Sequence, residues 1–286
     1  MTVIDAHHHL WDPARRRYDW LAGLDAIRRS YTVDDLRAVT PATSTVLVQT
    51  VTTVAETDEF LTIAATAPPV AGVVGWLDLS APDIANRIAD LRAAPGGDRL
   101  VGIRHPAQDE PDPRWLLRQD VVRGIAAVAE AGLTYDILVR PPQHEAAVAL
   151  ADRLPDARLV LDHAGKPAIA DDGYEPWAAF VSAIAARPNV FCKLSGLVTE
   201  ADWTQWTVKD LRPYAAHLLE SFGPDHVMFG SDWPVCELAA TYDQVYEAAR
   251  ALTDGLSTGE KADVFAGTAI RAYPLDPARV GTTEHP

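Results

Sequence analysis

The stretch Val3-Ile4-Asp5-Ala6-His7-His8-His9 decides how this chain is read. It has the apolar start of a short buried strand, in which successive side chains point to opposite faces. His7 and His9 therefore share a face at the strand's C-terminal end. Far along the chain a second apolar run closes on Phe229-Gly230-Ser231-Asp232-Trp233-Pro234. The glycine permits close approach and the proline stops the strand, so Asp232 is presented on a turn. A His-x-His pair alone is weak evidence, because hydrogen-bonded and surface histidines share that spacing. Joined by His163 and the Asp232 carboxylate, both at strand ends, it suits one divalent ion such as zinc or manganese. Such a set points to an enzyme that activates water.

Working outward from these two ends, short β-branched runs alternate with Ala/Leu/Glu-rich helical stretches. Strands are expected over 3–7, 45–49, 70–77, 100–103, 134–139, 158–162, 190–194 and 227–230, mostly as continuous apolar runs that suit parallel strands buried on both faces. Helices are expected over 84–93 behind an Asp83 cap, 114–131 ended by Gly132, 143–154, 176–186, 208–222 and 239–253, with Thr32 and Asp35 capping a short one. Eight such alternations predict an α/β fold closed as a (β/α)8 TIM barrel, which needs ~250 residues. The 286 residues are expected to form one such domain, with a polar tail over about 278–286 that frays. The alternative, a doubly wound open sheet, usually carries a Gly-rich first turn. Here the first turn is His-rich.

Composition limits the partners. The formal net charge of −15 argues against nucleic acid and against an anionic membrane surface. The one basic run, Arg15-Arg16-Arg17, reads as a solvated loop. No apolar run reaches the ~18 residues of a membrane helix, and the start lacks the basic and long apolar regions of a signal peptide, so a cytoplasmic protein is expected. Cys192 and Cys236 read as buried reduced thiols. A homo-oligomer is compatible with the sequence.

On a (β/α) barrel the site forms at the C-terminal ends of the strands. Polar residues expected there are His7, His9, Gln49, Trp76, Asp78, Arg104, His105, Arg140, Asp162, His163, Lys193, Ser195 and Asp232. His7, His9, His163 and Asp232 are the candidate metal ligands. Asp232 is the candidate general base and then acid, with His163 orienting the water. Gln49, Trp76, Arg104, His105, Lys193 and Trp233 are candidate substrate contacts. His8 faces the other way and reads as structural. His105 either meets substrate or binds a loop, and His144, at a helix start, is expected to be exposed. Arg104 and Lys193 lie in apolar strands, where a buried charge must be paired, so each either pairs with Asp78, Asp136 or Asp162 or binds substrate. Lys166 poses the same choice. Trp11, Trp76 and Trp233 suit an aromatic wall or simple core packing.

The motifs Asp5-Ala6-His7-His8-His9-Leu10-Trp11, Gly75-Trp76-Leu77-Asp78-Leu79, Gly102-Ile103-Arg104-His105, Asp162-His163-Ala164-Gly165-Lys166-Pro167, Lys193-Leu194-Ser195-Gly196-Leu197 and Phe229-Gly230-Ser231-Asp232-Trp233-Pro234 resemble the amidohydrolase-related sugar lactonases of the L-fuconolactonase and L-rhamnonolactonase type, and more distantly the pyrone dicarboxylate lactonase. The resemblance spans nearly the whole chain in the same order. It implies a (β/α)8 barrel that hydrolyses a cyclic ester of a sugar acid, with the family's strand-1 histidines on His7 and His9, its strand-6 histidine on His163 and its strand-8 aspartate on Asp232. Strand 5 carries no histidine, and no lysine sits there or on strand 4 to bridge two metals, so at most one ion is expected. The competing readings are a metal-dependent decarboxylase of the same superfamily and a non-catalytic barrel that binds a sugar acid. The loops over 11–31 and 108–115 are expected to decide the substrate.

Overall fold

The computed structural model describes residues 2–171 and 173–281. Eight strands, β1 (Ile4–His8), β2 (Ser44–Val48), β3 (Val70–Gly75), β4 (Leu100–His105), β5 (Thr134–Ile137), β6 (Leu159–Leu161), β7 (Val190–Leu194) and β8 (Val227–Phe229), pair in parallel in chain order. The sheet returns on itself as His9 N donates to Trp233 O at 2.7 Å and Asp232 N to His7 O at 2.8 Å. The expected barrel is therefore the observed one.

The seam between β8 and β1 is fastened by a side chain. The buried Asp5 carboxylate accepts from Ser231 N (2.8 Å), Ser231 Oγ (2.6 Å) and Tyr242 OH (3.0 Å). Strict alternation would put Asp5 and His7 on one face. Instead the β1–β2 register shifts between Asp5 and His8, and this bulge turns Asp5 toward the helices while His7 enters the barrel. His8 faces outward, as expected, with its Nε2 2.9 Å from Thr45 Oγ1.

Around the sheet lie α1 (Val33–Val39), α2 (Val54–Thr66), α3 (Ile84–Ala93), α4 (Gln119–Glu130), α5 (His144–Arg153), α6 (Tyr174–Ala185), α7 (Val208–Phe222) and α8 (Tyr242–Leu252). Thr32 and Asp35 do form a reciprocal cap on α1. Two expectations fail for local reasons, and one helix was not foreseen. Asp83 caps nothing, because its carboxylate is taken by Arg87 Nε at 2.8 Å. The single helix expected over 114–131 is split at Arg118, whose ψ of 138° is extended. Helix α2 escaped notice because its buried face includes Glu56 and Thr57 beside Phe60 and Leu61, which blurs the apolar stripe. No helix among the described residues is long and apolar enough to cross a membrane.

Apolar packing forms two layers. One lies between strands and helices and includes Leu47, Ile103, Leu161 and Phe229. The other, with Ile4, Ala6, Val46, Val48, Val74, Val160 and Met228, fills the barrel interior and is plugged from below by Tyr273 and Leu275. The described part of the tail makes contacts: Arg279 pairs with Asp98, and Gly281 N donates to Ser44 Oγ at 2.9 Å. Residues 282–286 of the expected frayed tail, His285 among them, lie outside the described residues.

Replacing Asp5 by Ala strands four buried donors, His7 N as well as the three at the seam, each worth ~1–3 kcal/mol, so urea unfolding should show a loss of about 4 kcal/mol or more. Asp5→Asn, which keeps one acceptor oxygen, should lose less.

Candidate active site at the barrel mouth

The loops leaving β1, β6 and β8 converge at the C-terminal end of the barrel. His7 Nε2 lies 3.1 Å from His9 Nε2, and Asp232 Oδ1 is 3.5 Å from His9 Nε2, 3.8 Å from His7 Nε2 and 3.9 Å from His163 Nε2. His7, His9 and Asp232 offer donor atoms within 4.8 Å of one another, all buried; His7, Asp162 and His163 form a second such group. His9 Nδ1–H donates to Val48 O at 2.7 Å, which leaves the Nε2 lone pair facing the site.

Backbone strain presents two of these groups. Asp232 sits at φ 57°, and the run His163, Ala164, Gly165, Lys166 takes φ values of 51°, 54°, 71° and 54°. A left-handed residue other than glycine costs of order 1–3 kcal/mol, so the turn after β6 persists only because its surroundings hold it. Trp177 Nε1 donates to Ala164 O at 2.6 Å and His144 Nε2–H donates to Gly165 O at 2.8 Å. His144 is therefore buried, stacked on Phe180 at 3.7 Å between centroids, and not exposed as its helix-start position suggests. Gly196 lets the next loop approach: a Cβ there would stand 2.8 Å from His163 Nδ1, whose partner is Ser195 Oγ at 2.9 Å.

Beneath the histidines lies a buried ionic lattice. Lys193 Nζ contacts Asp136 Oδ2 (2.6 Å), Asp162 Oδ1 (2.8 Å) and His7 Nδ1 (2.9 Å). Arg104 reaches Asp162 Oδ2 at 2.9 Å, and its Nη2 donates to Gln49 O at 2.5 Å and Gln49 Oε1 at 3.2 Å. Tyr273 OH donates to Asp136 Oδ2 at 2.6 Å. The open choice for both cations thus falls on pairing with Asp136 and Asp162. Asp78 instead accepts from Ser80 in a turn.

Burial opposes charge on all these groups, and their neighbours decide the outcome. Burial would raise Asp232, but His163, His9 and Lys166 outweigh it and hold the carboxyl below its ordinary value. Asp162 is likewise held well below by Lys193, His7 and Arg104 against its burial, while burial raises Asp136. Burial, reinforced by Lys193, keeps His7 neutral, and burial lowers His163 to about 4.

Above the histidines opens a cavity of about 490 Å³. His9, His163, Asp232, Arg104 and Gln49 lie at its base, and Thr50, Val51, Thr52 and Thr53 form one wall. The two loops expected to shape specificity contribute Arg17, Asp19 and Trp20, and Gln108 and Asp109. Three cations (Arg17, Arg104, Lys166) meet three carboxylates (Asp19, Asp109, Asp232), so the cavity is charge-balanced. Of the expected substrate contacts, Gln49 and Arg104 reach the wall, and four do not. Trp76 Nε1 donates to His105 Nδ1 at 3.0 Å; His105 is also bound to Glu110 Oε1 at 2.8 Å and stacked on Trp115 at 4.1 Å, which uses up both its nitrogens. Lys193 lies fully buried under His7, and Trp233 packs against Tyr31 and binds Glu237. The threonine wall was missed because none of its own side chains signals it; the signal lies in Glu56, whose buried carboxylate accepts from Thr50 N (2.7 Å) and Val51 N (3.0 Å) and shapes the loop.

A family model described as amidohydrolase matches residues 4–275. The chain belongs to the amidohydrolase family. Within it, the chain is 40% identical to an L-fucono-1,5-lactonase of Burkholderia multivorans over 95% of this chain and 96% of that one, and 37% identical to an L-fucono-1,5-lactonase of Burkholderia ambifaria over 96% of each. A crystal structure of an amidohydrolase from Burkholderia multivorans with bound zinc superposes with a TM-score of 0.91 at 38% identity, covering 96% of this chain and all of that one. In this amidohydrolase the eight-stranded barrel and the His/Asp constellation thus accompany a family relationship that runs from β1 to Leu275.

His163 and His144 both fall from 6.5 to about 4 on burial. Between those values each of these two imidazoles binds more protons in the unfolded chain, so their contribution to stability is full above pH 6.5 and is lost as pH falls toward 4, while the carboxyls of Asp136, Asp5 and Glu56, raised by burial, act in the opposite direction. The test is the difference between variants: from pH 6.5 to 4 the thermal midpoint of His144→Gln, which keeps a donor for Gly165 but does not titrate, should drop less than that of wild type.

Proposed function

We propose that this chain hydrolyses the ester of a small, uncharged sugar-acid lactone, with L-fucono-1,5-lactone, named for its Burkholderia relatives, as the first candidate. The observation that carries the proposal is Asp232: a buried carboxylate held ionised among three histidines at the base of a charge-balanced, hydroxyl- and amide-lined cavity. A neutral polyhydroxylated ring suits threonines, glutamines and paired charges. A dicarboxylate would call for an excess of cations.

The chemistry follows from the groups. Asp232 takes the proton of a water as its oxygen adds to the ester carbonyl carbon, with His163 and His9 orienting that water. When the carbon–oxygen ring bond breaks, Asp232 returns the proton to the departing ring oxygen. The donor set also fits a divalent ion. His7, His9 and Asp232 would hold it, since Asp162 in the second group is already engaged by Lys193 and Arg104. A zinc or manganese ion there would acidify a bound water and polarise the carbonyl.

A pH-indicator assay over aldonolactones and aromatic lactones, with and without chelator, tests this reading. Acid release from a sugar-lactone series is the expected result. Carbon dioxide without ring-opened acid would replace it with the decarboxylase reading, and tight binding without turnover with the non-catalytic one. Asp232→Asn should lower kcat by about 10³-fold, within the range for removal of a positioned base. Because burial brings His163 to about 4 and its neighbours hold Asp232 below its ordinary value, the acid limb of kcat/KM should appear only at about pH 4 and below.

A further inference from the structure

An ester carbonyl under attack needs a fixed positive group where its oxygen gains charge. Three cations flank the base of the cavity. Lys193 has an ammonium with three N–H groups and three partners, Asp136, Asp162 and His7, and it stands below the cavity rather than on its wall. Arg104 directs three of its four terminal N–H bonds to Asp162 Oδ2, Gln49 O and Gln49 Oε1, and the fourth faces His7 Nε2 at 3.3 Å, so the guanidinium is held against its neighbours. Both serve as structural ties.

Lys166 differs. It lines the cavity beside His163 and Asp232, and its nearest carboxylate, Glu200 Oε1, is 3.7 Å away, beyond hydrogen-bond range. Its ammonium makes no hydrogen bond among the described residues. Its backbone holds the left-handed conformation, φ 54° and ψ 69°, at the end of the turn that also carries His163. One strained segment thus sets both the histidine and a cation whose ion pair with Glu200 is loose.

We propose that Lys166 is the catalytic cation that receives the lactone carbonyl oxygen. This rests on the lactone-hydrolysis reading. As water oxygen bonds to the carbonyl carbon and its proton passes to Asp232, the C=O π electrons move onto the carbonyl oxygen, and the Lys166 ammonium stabilises that charge without giving up a proton. The pair then reforms the C=O bond, the ring C–O bond breaks, and the ring oxygen takes the proton from Asp232. Burial lowers the Lys166 pKa, as expected for an ammonium partly stripped of water.

The test is kcat and KM on L-fucono-1,5-lactone for wild type, Lys166→Met and Lys166→Gly, with circular dichroism and thermal midpoints alongside. Glycine favours φ 54°, so Lys166→Gly keeps the fold even if Lys166→Met does not. The expected result is a loss of about 100-fold or more in kcat in the folded variants with KM little changed, and partial recovery of Lys166→Gly by added alkylammonium ions. Variants within about threefold of wild-type kcat, or a loss confined to KM, would overturn the assignment alone. A wild-type chain inactive on every lactone would overturn it together with the lactone reading.

Discussion

The Lys193 ammonium inside the barrel is the interaction on which the site depends. It stands between two carboxylates that would otherwise repel each other, Asp136 on β5 and Asp162 at the end of β6, and it touches His7 on β1. A buried ion lattice is poor evidence of stability, since desolvation offsets much of the attraction. Its effect here is geometric. With Asp162 fixed, Arg104 is fixed, and through Arg104 both oxygens offered by Gln49 are fixed at the cavity base. Tyr273, from the far side of the barrel, holds Asp136 in place.

Above this rigid base the site relies on strain held by neighbours. The four left-handed residues from His163 to Lys166 are kept in place by ring N–H donors from α5 and α6, helices that contribute nothing else to the chemistry. A buried histidine on an outer helix and a tryptophan on the next are thus coupled to the placement of an imidazole in the site.

The barrel was legible because parallel strands buried on both faces write themselves as apolar runs, and because His7, His9, His163 and Asp232 all sit where such runs end. What was not legible has physical reasons. The bulge in β1 leaves no mark in the sequence, so simple alternation cannot show that Asp5 and His7 face opposite ways. The pairing of Lys193 with Asp136 and Asp162 over Asp78 depends on which residues point inward at one height of the barrel, a matter of stagger between strands. His144 looked exposed because a helix start is usually wet; its burial comes from a turn twenty-one residues later in the chain that needs a donor. The part played by Glu56 in the threonine loop is hidden by its own charge, which argues against burial until its hydrogen bonds are seen.

The seam between β1 and β8 has a consequence for how the molecule comes into being. Asp5 meets Ser231 across 226 positions, and Lys193 meets His7 across 186. On a growing chain the first strand emerges with one edge open and its carboxylate unsatisfied, and it stays so until nearly the whole sequence has been made. Non-local pairing of this kind is slow, since chain entropy is lost before the contacts that repay it exist. The residues that complete the site with His7 and His9 are thus made late in synthesis, and a chain cut short of β8 exposes an unpaired β1 edge in place of a reaction centre.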